Sequence, residues 1–171
     1  MLIGGGLLVA IIVGILALSS GGSNGPTQKM QTLAARMTTL QEISSSSQRT
    51  IKNGQLRTTN STLGIFLTNA NRDIADPLAK NSVDTKKIDK TILAKESGEK
   101  LKQTLEDARL NATFDRIYAR EMSFQLDTVG ALIKDIYKNT NSKSLKEFLE
   151  TTDDNLQPII KQLADFNAAN G

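Results

Sequence analysis

The chain of 171 residues contains no histidine, no cysteine and no tryptophan. Without histidine it lacks the commonest general base and the commonest metal ligand, which excludes Ser-His-Asp chemistry, histidine zinc sites and histidine-ligated di-iron sites. Without cysteine it has no disulfide, no thiol nucleophile and no thiolate metal site. We therefore predict a non-enzymatic protein with no cofactor, no metal and no catalytic residue.

Aromatic residues and net charge are also scarce. Five phenylalanines and two tyrosines are the only aromatic residues, so the core must consist mainly of aliphatic side chains, which favours packing between helices. The net charge is only +3, with acidic and basic residues mixed along the chain. No aromatic cluster or arginine-rich tract accompanies the basic residues, and we expect no nucleic-acid partner.

One long amphipathic helix is predicted between Asn111 and Lys138. Its apolar residues recur at steps of three and four, which places them on one face of a helix. They are Phe114, Tyr118, Met122, Leu126, Val129, Ile133 and Ile136. Such a helix is about 42 Å long at 1.5 Å per residue, and it needs partner helices to cover its apolar face.

The remaining chain supplies those partners. A first helix is predicted from Thr27, with a polar run at 44–47 that weakens its core-facing side. A second follows the Asn53-Gly54 turn and ends near Asp76-Pro77. A long lysine-rich connection, which we interpret as solvated, leads to a short helix from Ser97. The last helix, 142–167, contains Pro158, which predicts a kink, and Ser144 with Glu147 as a capping box.

These elements predict an all-α fold, an antiparallel (ferritin-like) four-helix bundle behind an N-terminal transmembrane helix. Residues 1–19 are the membrane segment because 2–18 carry no charge; 20–26 form a flexible linker and 27–171 form the bundle. A retained anchor fits better than a cleaved signal peptide, because no basic residue precedes the apolar run. Gly6, Ala10 and Gly14 share one face and are candidates for membrane-helix packing.

Short motifs in the third and fourth helices resemble a bacterial envelope family. The motifs are Phe114-Asp115-Arg116-Ile117-Tyr118, Glu121-Met122 and Leu145-Lys146-x-Phe148. The family consists of ferritin-like four-helix domains of unknown function, described as secreted or outer-membrane proteins. The resemblance covers roughly 97–167 and implies the fold and an envelope location. Histidines that the family would place near Leu126 and Ile159 are absent, so no metal or proton chemistry carries over.

The acidic residues of the sequence do not form a metal site that would replace the absent histidines. Five acidic residues are candidate metal ligands, and none belongs to a Glu-x-x-His pair. They are Glu42, Glu121, Asp127, Glu147 and Glu150. We interpret Glu121 as a residue at the edge of the core that pairs with Arg120 or Lys146.

The functional prediction is a membrane-anchored, extracytoplasmic helical-bundle protein of the cell envelope with a structural or protein-interaction role. Its partners are membrane lipid, through the N-terminal helix, and a protein of the envelope. One alternative is a sensory module that binds a small molecule between the first and last helices. Another is a secreted helical protein after signal cleavage. The positive-inside rule, applied to Lys29 and Arg36, points weakly towards a cytoplasmic domain instead, and the oligomeric state is left open.

Overall fold

A computed structural model describes residues 25–170, over which the chain forms seven helices and no strand. The all-α prediction is confirmed. The helices are α1 (Pro26–Ser47), α2 (Gly54–Asp73), α3 (Ala75–Ala79), α4 (Lys90–Lys95), α5 (Glu99–Leu110), α6 (Phe114–Asn139) and α7 (Lys143–Asn170).

The four longest helices pack in a ring in which α1 contacts α2 and α6, and α7 contacts α2 and α6. Lys29, near the start of α1, forms an ion pair of 2.6 Å with Asp135, near the end of α6. The amide of Asn81 donates to the Ser142 hydroxyl over 3.0 Å, which joins the chain beyond α2 to the start of α7. Because short turns link α1 to α2 and α6 to α7, each neighbouring pair in the ring runs antiparallel.

The predicted apolar faces form the core. In α6, every residue of the predicted face from Tyr118 onward is buried, and Phe114 packs partly buried against it. The face of α7 is buried throughout; it comprises Leu145, Leu149, Thr152, Leu156, Ile159, Leu163 and Phe166. Burial of such side chains is the main force that holds helices of this length together.

The connection between α2 and α6 crosses back along the bundle through α3, α4 and α5. It is held to α1 by Arg36, whose guanidinium binds the Glu96 carboxylate at 2.7 and 2.9 Å. The Thr39 hydroxyl donates to the Glu96 carbonyl at 2.6 Å. Gly98 then takes a positive φ of 71° in close contact with α1, and α5 continues against α6.

The helix ends differ from the predictions in two places. The second helix ends at Asp73, and Asp76-Pro77 lie inside α3, because Pro77 occupies an early position where a helix does not need its N–H. The predicted Ser144 and Glu147 capping box is wrong, since the Ser142 hydroxyl accepts from the Leu145 amide at 3.4 Å. The last helix runs without interruption through Pro158.

The predicted membrane segment, 1–19, lies outside the described residues, as do Gly6, Ala10 and Gly14 and most of the linker 20–26. Between residues 25 and 170, none of the helices is both long enough and apolar enough to span a bilayer.

Candidate interaction groove

A buried asparagine joins three helices in the half of the bundle where α1 ends and α6 begins. Asn60 of α2 is 2% exposed, and its side-chain oxygen accepts from the hydroxyls of Ser44 on α1, at 2.8 Å, and Tyr118 on α6. Its side-chain nitrogen donates to the Ser44 carbonyl at 3.0 Å and to Gln48. An asparagine side chain has two donors and two acceptor sites, so Asn60 is fully satisfied.

Tyr118 brings the only buried ionisable group among these partners. Its ring is fully buried and lies 5.8 Å from the ring of Phe114, nearly parallel to it. Burial raises the pKa of the Tyr118 phenol above its ordinary value, because the phenolate would lose its hydration. The phenol is therefore a neutral hydrogen-bond donor to Asn60.

Asp115, one helical turn before Tyr118, binds the turn between α1 and α2. Its carboxylate accepts from the backbone amide of Lys52 at 3.1 Å and from that of Asn53 at 2.6 Å. Asn53 in turn caps α2, since its side chain accepts from the Leu56 amide at 3.1 Å. The motif that carries the family resemblance thus has a structural role here: Asp115 and Tyr118 attach α6 to the α1–α2 pair.

Next to this network, an open groove of about 500 Å³ runs between α1 and α2 on the outside of the bundle. None of the residues that line it carries a charge. They are Ser44, Ser45, Gln48, Asn60, Ser61, Gly64, Ile65, Thr68 and Asn69. We call this surface the α1–α2 groove.

Gly64 allows the two helices to approach closely at the floor of the α1–α2 groove. A Cβ atom on Gly64 would lie 3.4 Å from the Ser44 hydroxyl oxygen, at van der Waals contact. Above the floor, Gln48 donates to the Ser61 hydroxyl at 2.8 Å. The Ile65 side chain is 66% exposed, so the groove contains an apolar side chain beside its hydrogen-bonding groups.

The carboxylates considered from sequence do not converge. Among residues 25–170 no group of three acidic side chains is placed to hold a metal ion. The pairing of Glu121 with Arg120 is confirmed, at 2.8 Å. Leu126 and Ile159, where the resembling family would have histidines, both lie in the apolar core.

The sequence prediction missed the role of Asn60. The polar run at 44–47 predicts a weak point in the core, whereas the Ser44 hydroxyl donates to the side-chain oxygen of Asn60. A signal existed, because Asn60 follows Leu56 by four residues and precedes Leu63 by three, which is a core-facing position on α2. The α1–α2 groove also differs from the ligand cavity suggested between the first and last helices, and Pro158 does not line it.

Comparison of the chain with protein-family models, curated proteins and solved structures finds no match. What the protein does must therefore be inferred from its residues and their geometry.

Proposed function

We propose that the protein is a membrane-anchored, extracytoplasmic helical-bundle protein of the cell envelope, with a non-enzymatic role in protein interaction. Its interaction surface is the α1–α2 groove. The observation that carries this proposal is the combination of uncharged hydrogen-bonding walls with the exposed side chain of Ile65.

The chemistry of the groove selects the class of partner. A charged ligand would lose hydration in a groove whose lining residues offer no opposite charge, and that loss is unfavourable. Ser45 and Ser61 offer hydroxyl groups to an uncharged polar segment, and Ile65 offers a contact for an apolar side chain. The partner is therefore an uncharged segment of another protein.

Location and fold relationship are part of the same proposal. The apolar run 2–18 and the polar segment 19–25 precede α1, which is the arrangement of a bundle tethered to a membrane. A single long crossover, here between α2 and α6, is also the connectivity of ferritin-like bundles. This connectivity and the motif residues Asp115 and Tyr118 support the resemblance to envelope domains of that fold.

Site-specific photo-cross-linking in intact cells tests the groove. A photoreactive amino acid at Ile65 should yield a discrete cross-linked protein, while the same group at Leu93 on α4, 47% exposed, should not. Ser61→Arg should abolish the product by placing a charge in the groove. Equal cross-linking from both positions, or from neither, would refute the assignment of the groove as the interaction surface.

Protease digestion of intact cells and of spheroplasts, with sequencing of the mature N-terminus, tests the location. Digestion of the bundle from outside the cytoplasmic membrane, with 1–18 retained, supports an extracytoplasmic anchored protein. Loss of 1–18 would replace the anchor with secretion after cleavage. Protection of the bundle until the cytoplasmic membrane is broken would contradict the proposed side of the membrane.

A small-molecule or sensory role is the second candidate. The α1–α2 groove, at about 500 Å³, is within the range of ligand pockets, roughly 300–1,000 Å³. Thermal shift against uncharged small molecules tests it: a shift that Ser61→Arg removes, without any cross-linked protein from Ile65, would favour this candidate.

A further inference from the structure

We propose that the end of the bundle at which α1 begins docks onto an anionic membrane surface. We call it the basal end, and it comprises residues 25–31, 72–92 and 134–146. Three contacts hold these ranges together: Lys29 with Asp135, Asn81 with Ser142, and the Asp89 amide with Gln31 at 3.0 Å. The inference deepens the proposed function, because it names a surface that the membrane anchor would bring to the bilayer.

Charge is distributed unevenly between the basal end and the rest of the bundle. The basal end contains ten lysines and arginines against five aspartates, whereas the rest of the chain contains eleven basic and thirteen acidic residues. The modest total of +3 therefore combines a basal end of +5 with a remainder of −2. The sequence alone spreads these lysines over separate segments, and the fold brings them to one end.

Three lysines account for the accessible excess of positive charge. Lys86 and Lys90 on the crossover and Lys138 at the end of α6 are exposed, and none of them forms an ion pair within residues 25–170. Six of the other seven cations at this end have a carboxylate within 4.0 Å. Such pairs are Arg72 with Asp73, Lys80 with Asp76, and Lys87 with Asp84. Two of these carboxylates, Asp153 and Glu147, lie outside the basal ranges and reduce the local excess of positive charge.

The path of the chain favours a lipid surface as the occupant. The segment that joins the apolar run 2–18 to α1 enters the bundle at Gly25, which is at the basal end. Seven residues, 19–25, reach at most about 25 Å when fully extended. An inserted anchor therefore keeps the basal end near the bilayer, and lysines within about one Debye length, roughly 8 Å at physiological salt, are attracted to anionic headgroups.

Docking at this end would leave the Ser44 end of the α1–α2 groove well above the membrane. Ser44 lies eighteen residues beyond Pro26 along α1, which corresponds to about 27 Å at 1.5 Å per residue. That end of the groove would then stay accessible to a protein partner, whereas Asn69 at its other end lies three residues from Arg72 of the basal end.

Lysine footprinting on vesicles tests the proposal. The full chain is reconstituted with vesicles of neutral phosphatidylcholine, or of phosphatidylcholine containing phosphatidylglycerol, and labelled with an amine-reactive reagent. Labelling of Lys86, Lys90 and Lys138, measured by mass spectrometry, should fall about fivefold on the anionic vesicles, the ratio expected from the attraction of one basic side chain to such a surface. High salt should restore it.

Three other lysines serve as the internal control. Lys52, Lys95 and Lys100 are also exposed and also lack an ion pair within the described part of the chain. Asp89 contacts Gln31, five residues into α1, and Glu96 contacts Arg36, ten residues into it. Lys95 therefore lies about 15 Å along the bundle from Pro26, about twice as far as Lys90. Their labelling should be equal on both kinds of vesicle.

Charge removal provides the matched variants. The triple variant Lys86→Gln, Lys90→Gln and Lys138→Gln should make the labelling of two other basal lysines, Lys80 and Lys143, independent of lipid charge. The triple variant Lys52→Gln, Lys95→Gln and Lys100→Gln should leave their protection on anionic vesicles unchanged. Circular dichroism checks that both variants are folded.

Flotation of the same vesicles separates failure of the docking from failure of the anchor. Flotation with both lipids and protection only on anionic vesicles supports both proposals. Flotation with both lipids and no protection overturns docking and leaves the anchor. Flotation with anionic vesicles alone, together with protection of the lysines, supports docking and overturns the anchor proposal. Absence of flotation with either lipid overturns both proposals.

Discussion

Asn60 shows how one polar residue orders the core of this bundle. It bonds Ser44 of α1 and Tyr118 of α6 with distinct donor and acceptor atoms. Purely aliphatic faces tolerate small shifts of one helix along another, whereas a buried polar set is satisfied in one register only, and misregistered packing leaves its groups unpaired. No buried side-chain nitrogen or oxygen lacks a partner in the described residues.

Replacement of Asn60 by alanine should lower the free energy of unfolding by about 2–4 kcal/mol. The Tyr118 hydroxyl and the Ser44 carbonyl would lose their partner in a dry environment. Urea denaturation provides the measurement. Asn69→Ala, on an exposed position of the same helix, should change stability by less than about 0.5 kcal/mol, and equal effects of the two variants would contradict the role given to Asn60.

Tyr118 should make stability fall with pH above about 10. Burial raises the pKa of its phenol, so the unfolded chain releases the proton near its ordinary pKa of about 10 while the folded protein retains it. The stabilising effect is complete below pH 10 and is lost progressively above it, by about 1 kcal/mol between pH 10 and 11.

Tyr118→Phe lacks this proton and provides the reference. Between pH 10 and 11 the wild type should therefore lose about 1 kcal/mol more unfolding free energy than Tyr118→Phe. Lysine deprotonation affects both proteins equally. Parallel curves for the two proteins would show that the phenol ionises as readily in the folded state.

At the scale of single elements, α7 contains a residue that its own helix disfavours. Pro158 lies on an exposed position inside α7, where it has no N–H to donate to the carbonyl of Asp154. Pro158→Ala should raise stability by about 2 kcal/mol, the cost of an internal proline less its restriction of the unfolded chain. Thermal unfolding measures the change in stability, and Glu150→Ala on the same helix is the control, with an expected change near zero. A loss of stability in Pro158→Ala would mean that Pro158 is needed for packing.

The crossover depends on Gly98 at the start of α5. A Cβ atom there would lie 2.6 Å from a methyl carbon of Thr39 and 3.2 Å from Ile43. The methyl cannot rotate away freely, because the Thr39 hydroxyl donates to the Glu96 carbonyl. Together with the positive φ of 71°, this contact should make Gly98→Ala destabilising by about 2–3 kcal/mol.

Gly54→Ala is the matched variant for Gly98. Gly54 begins α2, and no atom lies within 4 Å of the position its Cβ would take. Alanine there should stabilise the protein by about 0.5–1 kcal/mol, because glycine loses more backbone freedom on folding. Stability changes of the same sign in both variants would contradict the strain assigned to Gly98.

At the scale of the whole molecule, the four long helices and part of the crossover share one core. Buried apolar residues from α1, α2, α6 and α7 form a continuous cluster, and Leu78, Val83, Leu101 and Leu105 extend it into the crossover. One continuous core over 25–170 predicts cooperative unfolding. Urea curves followed by far-UV circular dichroism and by tyrosine fluorescence should superimpose, whereas separate midpoints would indicate that the crossover unfolds independently.

The sequence by itself determined the helical class and the core-facing sides of the long helices. Apolar residues at steps of three and four, such as Met122 and Leu126 in α6 or Leu145 and Leu149 in α7, predict which face is buried, because that spacing reflects the local geometry of one helix. The sequence predicted helix ends less well than helix faces. Asp76-Pro77 lie inside α3 and do not end a helix, and Ser142 rather than Ser144 caps α7, because several nearby residues can serve at a helix end.

Only the tertiary structure decided which polar residues meet. Ser44, Asn60 and Tyr118 are separated by up to 74 positions in the chain, and their contact depends on how α1, α2 and α6 pack together. The same reason applies to the α1–α2 groove, formed by residues on two helices, and to the basal end, where the crossover brings Lys86 and Lys90 to the same end as Lys138. Helical periodicity specifies a face within one element, whereas the neighbour of that face is chosen by the packing of the whole bundle.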